Sequence, residues 1–171
     1  MGAAQRRPTL LHSCARAATA AEARFRVDYP NSTERASRII AVDAEAAGIL
    51  EPVARRAWRG ARFLRFEAIQ EIDAEGRDAL LRSFDDESSL LSEELEGADV
   101  AVMIATGDAG AEAAAIIGRE SFRRRIMTAG LVVRGSLEPD VAVNVLRPYA
   151  SVLVVSPDEQ YIADVLTALR A

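Results

Sequence analysis

The stretch ADVAVMIATGDAGAEAAAIIGRE, residues 98–120, decides the fold class. Its first part, 98–106, is a nearly continuous apolar run, which is typical of a strand covered on both faces of a parallel sheet. A short turn with two glycines follows, and the alanine-rich segment after it predicts a helix over 111–125. A strand, a glycine turn and a helix in this order present backbone amides to an anion. The turn nevertheless carries Asp108, with Glu112 just beyond it, and both would repel a phosphate.

The segments on either side of this stretch alternate between strand and helix patterns. Strands are predicted at 38–42, 61–66, 98–106, 126–133 and 151–156, and helices at 48–58, 76–95 (in two pieces), 111–125, 138–150 and 157–171. This alternation predicts an α/β fold: a doubly wound, Rossmann-like, mainly parallel sheet of about five strands with helices on both faces. Ligands of such sheets bind at the carboxyl ends of the strands.

The first 37 residues differ from the rest of the chain. They are rich in arginine, and their first acidic residue is Glu22. We therefore divide the chain into a basic N-terminal arm, 1–37, and an α/β domain, 38–171. The arm is interpreted as disordered or bound to a partner, and a targeting segment for organelle import is the alternative left open.

The basic and nucleophilic residues are few in kind, and this excludes several chemistries. The chain of 171 residues contains no lysine, so a phosphate-loop lysine and a Schiff-base lysine are excluded. His12 and Cys14 are the only residues of their types. A zinc site built on several His and Cys is therefore excluded, and so is an intrachain disulfide. Any catalysis in the domain would depend on carboxylates, hydroxyls, arginines and backbone amides, and we predict no catalytic residue.

The charge of the chain bears on its partners. The formal net charge is −5 and the pI is about 5.0, whereas a nucleic-acid-binding surface is basic. We therefore expect no nucleic-acid partner. No apolar run reaches the roughly 20 residues of a membrane helix, so we expect no transmembrane segment and a cytoplasmic, bacterial-type location.

Four segments match one known family in order. They are IIAVDAEAAGILEPVARRAWRGARFLRF (39–66), EELEGADVAVMIAT (93–106), AAAIIGRESFRRRIMTAGLVV (113–133) and YASVLVVSPDEQYI (149–162). Through them, residues 38–171 resemble the nucleotide-binding half of the tubulin/FtsZ family of assembling GTPases. The resemblance implies a single nucleotide-binding-type domain, and it depends mainly on pattern and element order.

The two phosphate loops depart from the family. The family's first loop is rich in glycine, whereas residues 43–48 read DAEAAG and contain two acids. The family's signature loop is GGGTGTG, whereas residues 106–112 read TGDAGAE and keep only Gly107 and Gly110. The loop between strand and helix is also about two residues shorter.

Two further departures concern the base and the catalytic loop. Pro157 and Asp158 fit the family's fifth loop, but no asparagine there matches one that would recognise a guanine edge. The family's second domain, which supplies an acidic catalytic loop to the neighbouring subunit's site, has no counterpart in 38–171. These departures argue against GTP hydrolysis.

The candidate ligand-binding residues all fall at predicted strand ends. They are Asp43, Glu45, Thr106, Gly107, Asp108, Gly110 and Asp158. We interpret Asp108 and Glu112 as helix-capping residues, with metal or ribose binding and acid–base chemistry as alternatives. Asp43 and Glu45 are interpreted as part of a solvated loop, although Mg²⁺ bridging these carboxylates to a phosphate would restore nucleotide binding.

These observations favour a non-catalytic protein-interaction or regulatory module whose partner is another protein or a second copy of the chain. The alternative is a protein that binds a nucleotide or another small molecule at the strand ends, with or without Mg²⁺. A third hypothesis, an enzyme that uses carboxylates such as Asp43 or Asp108, has the least support from the residues.

Overall fold

The buried strand of the opening stretch lies at the centre of a seven-stranded sheet. The structure is a computed structural model and describes residues 35–72, 76–133, 139–156 and 160–168. The elements are β1 (Ser37–Ala41), α1 (Ala44–Ala54), β2 (Ala61–Ile72), β3 (Gly76–Ser83), β4 (Ser88–Leu90), α2 (Leu91–Glu94), β5 (Val100–Ala105), α3 (Ala111–Arg123), β6 (Met127–Val133), α4 (Pro139–Leu146), β7 (Val152–Ser156) and α5 (Gln160–Ala168). Every residue of β5 is buried, as its apolar run predicts.

The sheet is mixed and mostly parallel. Its strand order is β4-β3-β2-β1-β5-β6-β7. The five predicted strands are present as β1, β2, β5, β6 and β7, and they pair in parallel. β3 and β4 extend the sheet beyond β2 by antiparallel pairing. The predicted number of about five strands is therefore too low.

Successive residues of β1 point into two separate cores, one on each face of the sheet. Ile39 and Ala41 pack with the apolar residues of α1 and α5, whereas Ile40 and Val42 pack with those of α2, α3 and α4. Because each face is covered by helices, a central strand has to be apolar on both sides. No helix within the described residues combines the length and apolar character needed to cross a membrane.

The helix predicted over 76–95 is wrong. Residues 76–83 form β3, residues 88–90 form β4, and only the four residues of α2 are helical. β2 also continues to Ile72, where a loop was predicted. Opposite β3, the long β2 supplies backbone partners from Leu64 to Ile72, so pairing between strands overrides the helical pattern of the local sequence.

The first helix begins earlier than predicted. α1 starts at Ala44, directly after Asp43, so the predicted loop 43–48 is mostly helix. Pro52 lies inside α1 near its end. Proline has no N–H to donate to the carbonyl four residues earlier, which in α1 belongs to Gly48. Since β1 ends at Ala41 and α1 starts at Ala44, the connection between them is a tight two-residue turn with no room for a glycine-rich loop.

A charge cluster around the buried Glu94 joins β1, β2, β4 and α2 at the end of the sheet opposite to that turn. Glu94 is only 6% exposed. Its carboxylate accepts from Arg38 at 3.2 Å, from Arg62 at 3.0 Å and from the hydroxyl of Ser89 at 2.7 Å. Arg38 also donates to the Glu94 carbonyl at 2.7 Å. Because the buried carboxylate has several partners, losing one of them would leave charge uncompensated.

The carboxyl end of α3 closes with a left-handed residue that is not glycine. The Ile126 N–H donates to the Ser121 carbonyl at 2.9 Å, and the Arg125 N–H donates to the Phe122 carbonyl at 3.1 Å. This is the Schellman pattern, in which glycine is usual at the left-handed position. Here that position is Arg125, with φ 59°. Gly97 also has a left-handed backbone, with φ 70°, but there the residue is the usual glycine.

Two substitutions test this backbone strain with opposite signs. Arg125→Gly should stabilise the protein by about 1 kcal/mol, since glycine removes the left-handed penalty of a side chain. Gly97→Ala should destabilise it by about 1 kcal/mol, because alanine pays the left-handed penalty that glycine avoids. An added Cβ there would meet nothing within 4 Å, so the change reports the backbone penalty alone. Denaturant unfolding of both variants measures the two changes, and a shift of equal sign in both would contradict this account.

Candidate functional site

Six of the seven predicted site residues meet at one point on the carboxyl edge of the sheet. The chain runs from β1 outward to β2 on one side and later returns to β5 on the other side. In parallel sheets of this kind, the crevice between two such strands is the usual ligand position. The turn after β1 supplies Asp43, the first turn of α1 supplies Glu45, and the turn after β5 supplies residues 106–110. Asp158 lies outside the described residues.

The carboxylate of Asp43 joins the two turns. Its Oδ1 accepts the Ala46 N–H at 2.7 Å, so Asp43 is the N-cap of α1. The same oxygen accepts the Thr106 hydroxyl at 2.8 Å, and Oδ2 accepts the Thr106 N–H at 2.9 Å. The expectation of a solvated loop residue is therefore wrong for Asp43. A carboxylate of the domain itself therefore accepts the Ala46 and Thr106 amides at the amino end of α1.

Thr106 is the buried side of this contact. It is 2% exposed, so its N–H has no access to bulk water and requires a protein partner. Its hydroxyl also lies 3.3 Å from Oε2 of Glu45. One hydroxyl proton serves one acceptor well, and the shorter distance favours Asp43. Glu45 itself is exposed, as expected for a solvated acid.

The turn that begins α3 uses backbone groups in place of a side-chain cap. The N-cap is Gly110, and it makes no side-chain capping bond. The Ala111 N–H donates to the Asp108 carbonyl at 3.0 Å. The exposed Asp108 carboxylate makes no hydrogen bond or ion pair within the described residues, so the prediction that it caps the helix is wrong. Glu112 lies in the first turn and pairs with Arg77 at 2.7 Å.

Gly110 is required by packing against β1. A Cβ at this position would lie 2.3 Å from Cγ2 of Val42 and 3.0 Å from its carbonyl oxygen. The φ of Gly110 is −84°, which any residue adopts, so the constraint is steric. Close approach of helix and strand is one of the roles of glycine in dinucleotide-binding turns. The clash with Val42 therefore requires a glycine at position 110 whether or not a phosphate binds.

A shallow cleft lies beside Asp43, on the β2 side of the sheet. Its volume is about 550 Å³, and residues of α1, β2 and β3 line it: Asp43, Ala44, Ala47, Arg65, Phe66, Glu67, Ala68 and Leu80. The part of β2 that lines the cleft is not among the predicted site residues, because a β-bulge between Phe66 and Ala68 shifts the register of β2 against β3 by one residue. That shift interrupts the alternation by which the continuing strand would have been found.

The electrostatics of this edge disfavour an anion. Asp43, Glu45, Asp108 and Glu112 lie within a few residues of the two turns, and of these four only Glu112 forms an ion pair in the described structure. At the cleft, Glu67 pairs with Arg82 and Arg65 pairs with Asp86. In the described ranges, no three His, Cys, Asp or Glu side chains group together as metal ligands do.

Neither protein-family models nor curated proteins match this chain.

Removal of the Asp43 carboxylate should destabilise the domain. Asp43→Ala loses the cap of α1 and leaves the buried Thr106 N–H unpaired, and we expect a cost of about 2 kcal/mol or more. The matched control is Asp108→Ala at the same edge, which should change stability by no more than about 0.5 kcal/mol. Urea denaturation of the two variants measures both, and equal losses would show that Asp43 is not the structural carboxylate.

Gly110 and Gly48 should respond oppositely to substitution by alanine. Gly110→Ala forces Cβ into Val42 and should cost about 1–3 kcal/mol. Gly48→Ala, in the middle of α1 with nothing within 4 Å of the added Cβ, should stabilise the protein by about 1 kcal/mol. In a Val42→Ala background the cost of Gly110→Ala should shrink, because the clashing Cγ2 is absent. A double-mutant cycle by thermal unfolding measures that coupling.

Proposed function

We propose that this protein is a non-catalytic protein-interaction or regulatory module, built on a degenerate, doubly wound nucleotide-binding fold of the tubulin/FtsZ type. The observation that carries the proposal is the position of the Asp43 carboxylate. It accepts the Ala46 and Thr106 amides at 2.7 and 2.9 Å. These donors lie in the crevice where a nucleotide phosphate would need them.

Charge supports the same conclusion. A phosphate placed between the two turns would face Asp43, Glu45 and Asp108, none of which has a cationic partner among the described ion pairs. Each such contact at about 4 Å costs roughly 1 kcal/mol in water and about 4 kcal/mol near a protein surface. A helix amino end contributes only about 0.3–1 kcal/mol in favour of an anion. Repulsion is therefore the larger effect.

The chemistry available at this edge also points away from catalysis. Residues 38–171 contain no histidine, cysteine or lysine. The Asp43 oxygens already accept hydrogen bonds from Ala46 and Thr106, and the exposed Asp108 has no hydrogen-bonded side chain to act with. A general base needs a reacting group within hydrogen-bond reach and a partner that orients it. The proposal therefore assigns no reaction to this site.

A second candidate function is the binding of a nucleotide or another small molecule in the cleft of about 550 Å³. The observation in its favour is the β-bulge between Phe66 and Ala68, because bulges are over-represented beside binding sites. The cleft places the apolar Phe66 beside the charged Arg65 and Glu67, a combination that would suit a flat polar ligand. Mg²⁺ would be needed for a phosphate to lie beside Asp43.

Thermal unfolding with ligands separates the two functions. We expect GTP, GDP, ATP and ADP, each with and without Mg²⁺, to leave the Tm unchanged. A nucleotide present at 100 times its Kd would add about 2.7 kcal/mol of stability, which is roughly 5–10 °C for a chain of this size. The control is the same series on Asp108→Ala, which removes a repelling charge without removing the Asp43 contact.

A native mass spectrum of the protein isolated from its own source gives an independent result. A stoichiometric complex with another polypeptide, and no small molecule, would support the interaction module. Extra mass of a few hundred daltons that is lost on denaturation, together with a nucleotide-induced Tm shift, would overturn it and establish the second candidate.

A further inference from the structure

The carboxyl end of α3 carries a concentration of positive charge on an acidic protein. Four exposed arginines lie there, and we call them the basic patch: Arg119, Arg123, Arg124 and Arg125. Glu120 is the one acid between the first and the last of them. It pairs with both Arg123 and Arg124, at 3.0 and 2.7 Å. The basic patch therefore keeps an excess of positive charge, although the whole chain has a net charge of −5.

The dipole of α3 accounts for only part of this patch. It favours a cation in the last turn of a helix, and Arg123 lies there. Arg119 lies before that turn, and its side chain donates to the Ala115 carbonyl at 3.3 Å. Arg125 follows the helix with a left-handed φ of 59°, which glycine would adopt at lower cost. Neither Arg119 nor Arg125 forms an ion pair in the described part of the chain, so both guanidinium groups are available to a partner.

An apolar groove lies directly beside the basic patch. Its volume is about 460 Å³, and Arg119 and Arg123 are among its lining residues. The apolar part of its lining consists of Gly118, Phe122, Ile126, Pro148, Tyr149 and Ala150. Phe122 is 85% exposed, more than any other large hydrophobic side chain of the described residues. None of the described residues that line the groove is acidic. The groove thus combines an uncovered aromatic ring with positive charge.

The packing of the domain shapes this groove. Gly118 has no side chain, and an added Cβ there would clash with Tyr149, so α3 approaches the connection between α4 and β7 closely. The buried Thr128 hydroxyl donates to the Tyr149 carbonyl at 2.7 Å. The Ser151 N–H donates to the Thr128 carbonyl at 3.0 Å. Because the fold fixes both walls, a partner would not have to order them.

The composition and order of the chain argue against an occupant from the chain itself. The groove lies at the amino ends of β6 and β7. Residues 134–138 and 157–159 follow the carboxyl ends of these strands, at the opposite edge of the sheet. Residues 1–34 contain five arginines and three acids, so their net charge has the same sign as the basic patch.

We infer that the groove and the basic patch bind an acidic peptide segment of another protein. An apolar side chain of the segment fills the groove against Phe122, and its carboxylates pair with the arginines. An anionic bilayer would contact the arginines but leave the concave groove unfilled, and the phosphates of a nucleic acid would leave its apolar walls without a partner. A second copy is a poorer source, because Asp86, Glu87 and Glu94 of its acidic runs already pair with arginines of their own chain. The inference names a surface and a partner chemistry for the proposed interaction module, and in that respect rests on the proposed function.

A random dodecapeptide library displayed on phage, selected on the full-length protein at low salt, tests this inference. We expect the enriched peptides to carry Asp or Glu beside a large apolar residue. A dye-labelled synthetic copy of the most enriched peptide then gives a Kd by fluorescence anisotropy. Phe122→Ala and Arg119→Glu should each raise that Kd about tenfold or more, because one removes the apolar contact and the other reverses a charge. Added salt should also raise the Kd.

The matched control is Arg56→Glu, the same reversal at an exposed arginine just past the end of α1, and it should leave the Kd unchanged. Circular dichroism of each variant establishes that the fold is kept. Because Phe122→Ala and Arg119→Glu change different side chains, either one tests the surface if the other perturbs the helical signal.

Three results would overturn the inference: no enriched peptide, enriched peptides without acidic residues, or a Kd that neither variant changes. Binding to phosphatidylcholine vesicles containing phosphatidylserine, lost in Arg119→Glu and accompanied by no enriched peptide, would also overturn it. If no acidic peptide is enriched but the native mass spectrum shows a stoichiometric complex with another polypeptide, the inference fails and the proposed function stands. An acidic peptide that depends on Phe122 and Arg119, together with a nucleotide-induced gain in Tm, supports the inference and overturns the proposed function.

Discussion

The contact between the Asp43 carboxylate and Thr106 holds together the part of the fold on which the rest depends. The switch in strand order between β1 and β5 leaves two turns side by side, with backbone amides that need acceptors. In a nucleotide-binding protein those acceptors come partly from the ligand. Here a side chain of the domain supplies them, at 2.7–2.9 Å. The same carboxylate caps the start of α1 and fixes the turn after β5.

The close contact between Gly110 and Val42 gives the site its second constraint. α3 begins so near the end of β1 that no side chain fits between them. A glycine in a phosphate-binding turn is therefore not by itself evidence for phosphate, since helix–strand packing alone requires it. Together, Asp43 and Gly110 fix the geometry of this edge through contacts within the domain, one by hydrogen bonds and the other by close packing.

Local sequence predicts the centre of this fold and fails at its β2–β4 side. Residues 98–133 follow from pattern alone, because a strand buried on both faces and an amphipathic helix have different periods. Residues 76–83 carry apolar positions that suit either element, and the decision comes from β2, a partner across the sheet. The sequence marks Asp43 only as a departure from a glycine-rich loop. Its role does not follow from local pattern, because its partner Thr106 is 63 residues away in the chain.

That separation has a consequence for how the chain folds. Joining Asp43 to Thr106 closes a loop whose chain entropy, for a flexible segment, costs roughly 4 kcal/mol. The segment between them is not flexible once β2, β3 and β4 have paired with their sequence neighbours, so the loop that remains to be closed is shorter. Because these antiparallel pairings are local in sequence, we expect them to form before the parallel contact of β1 with β5.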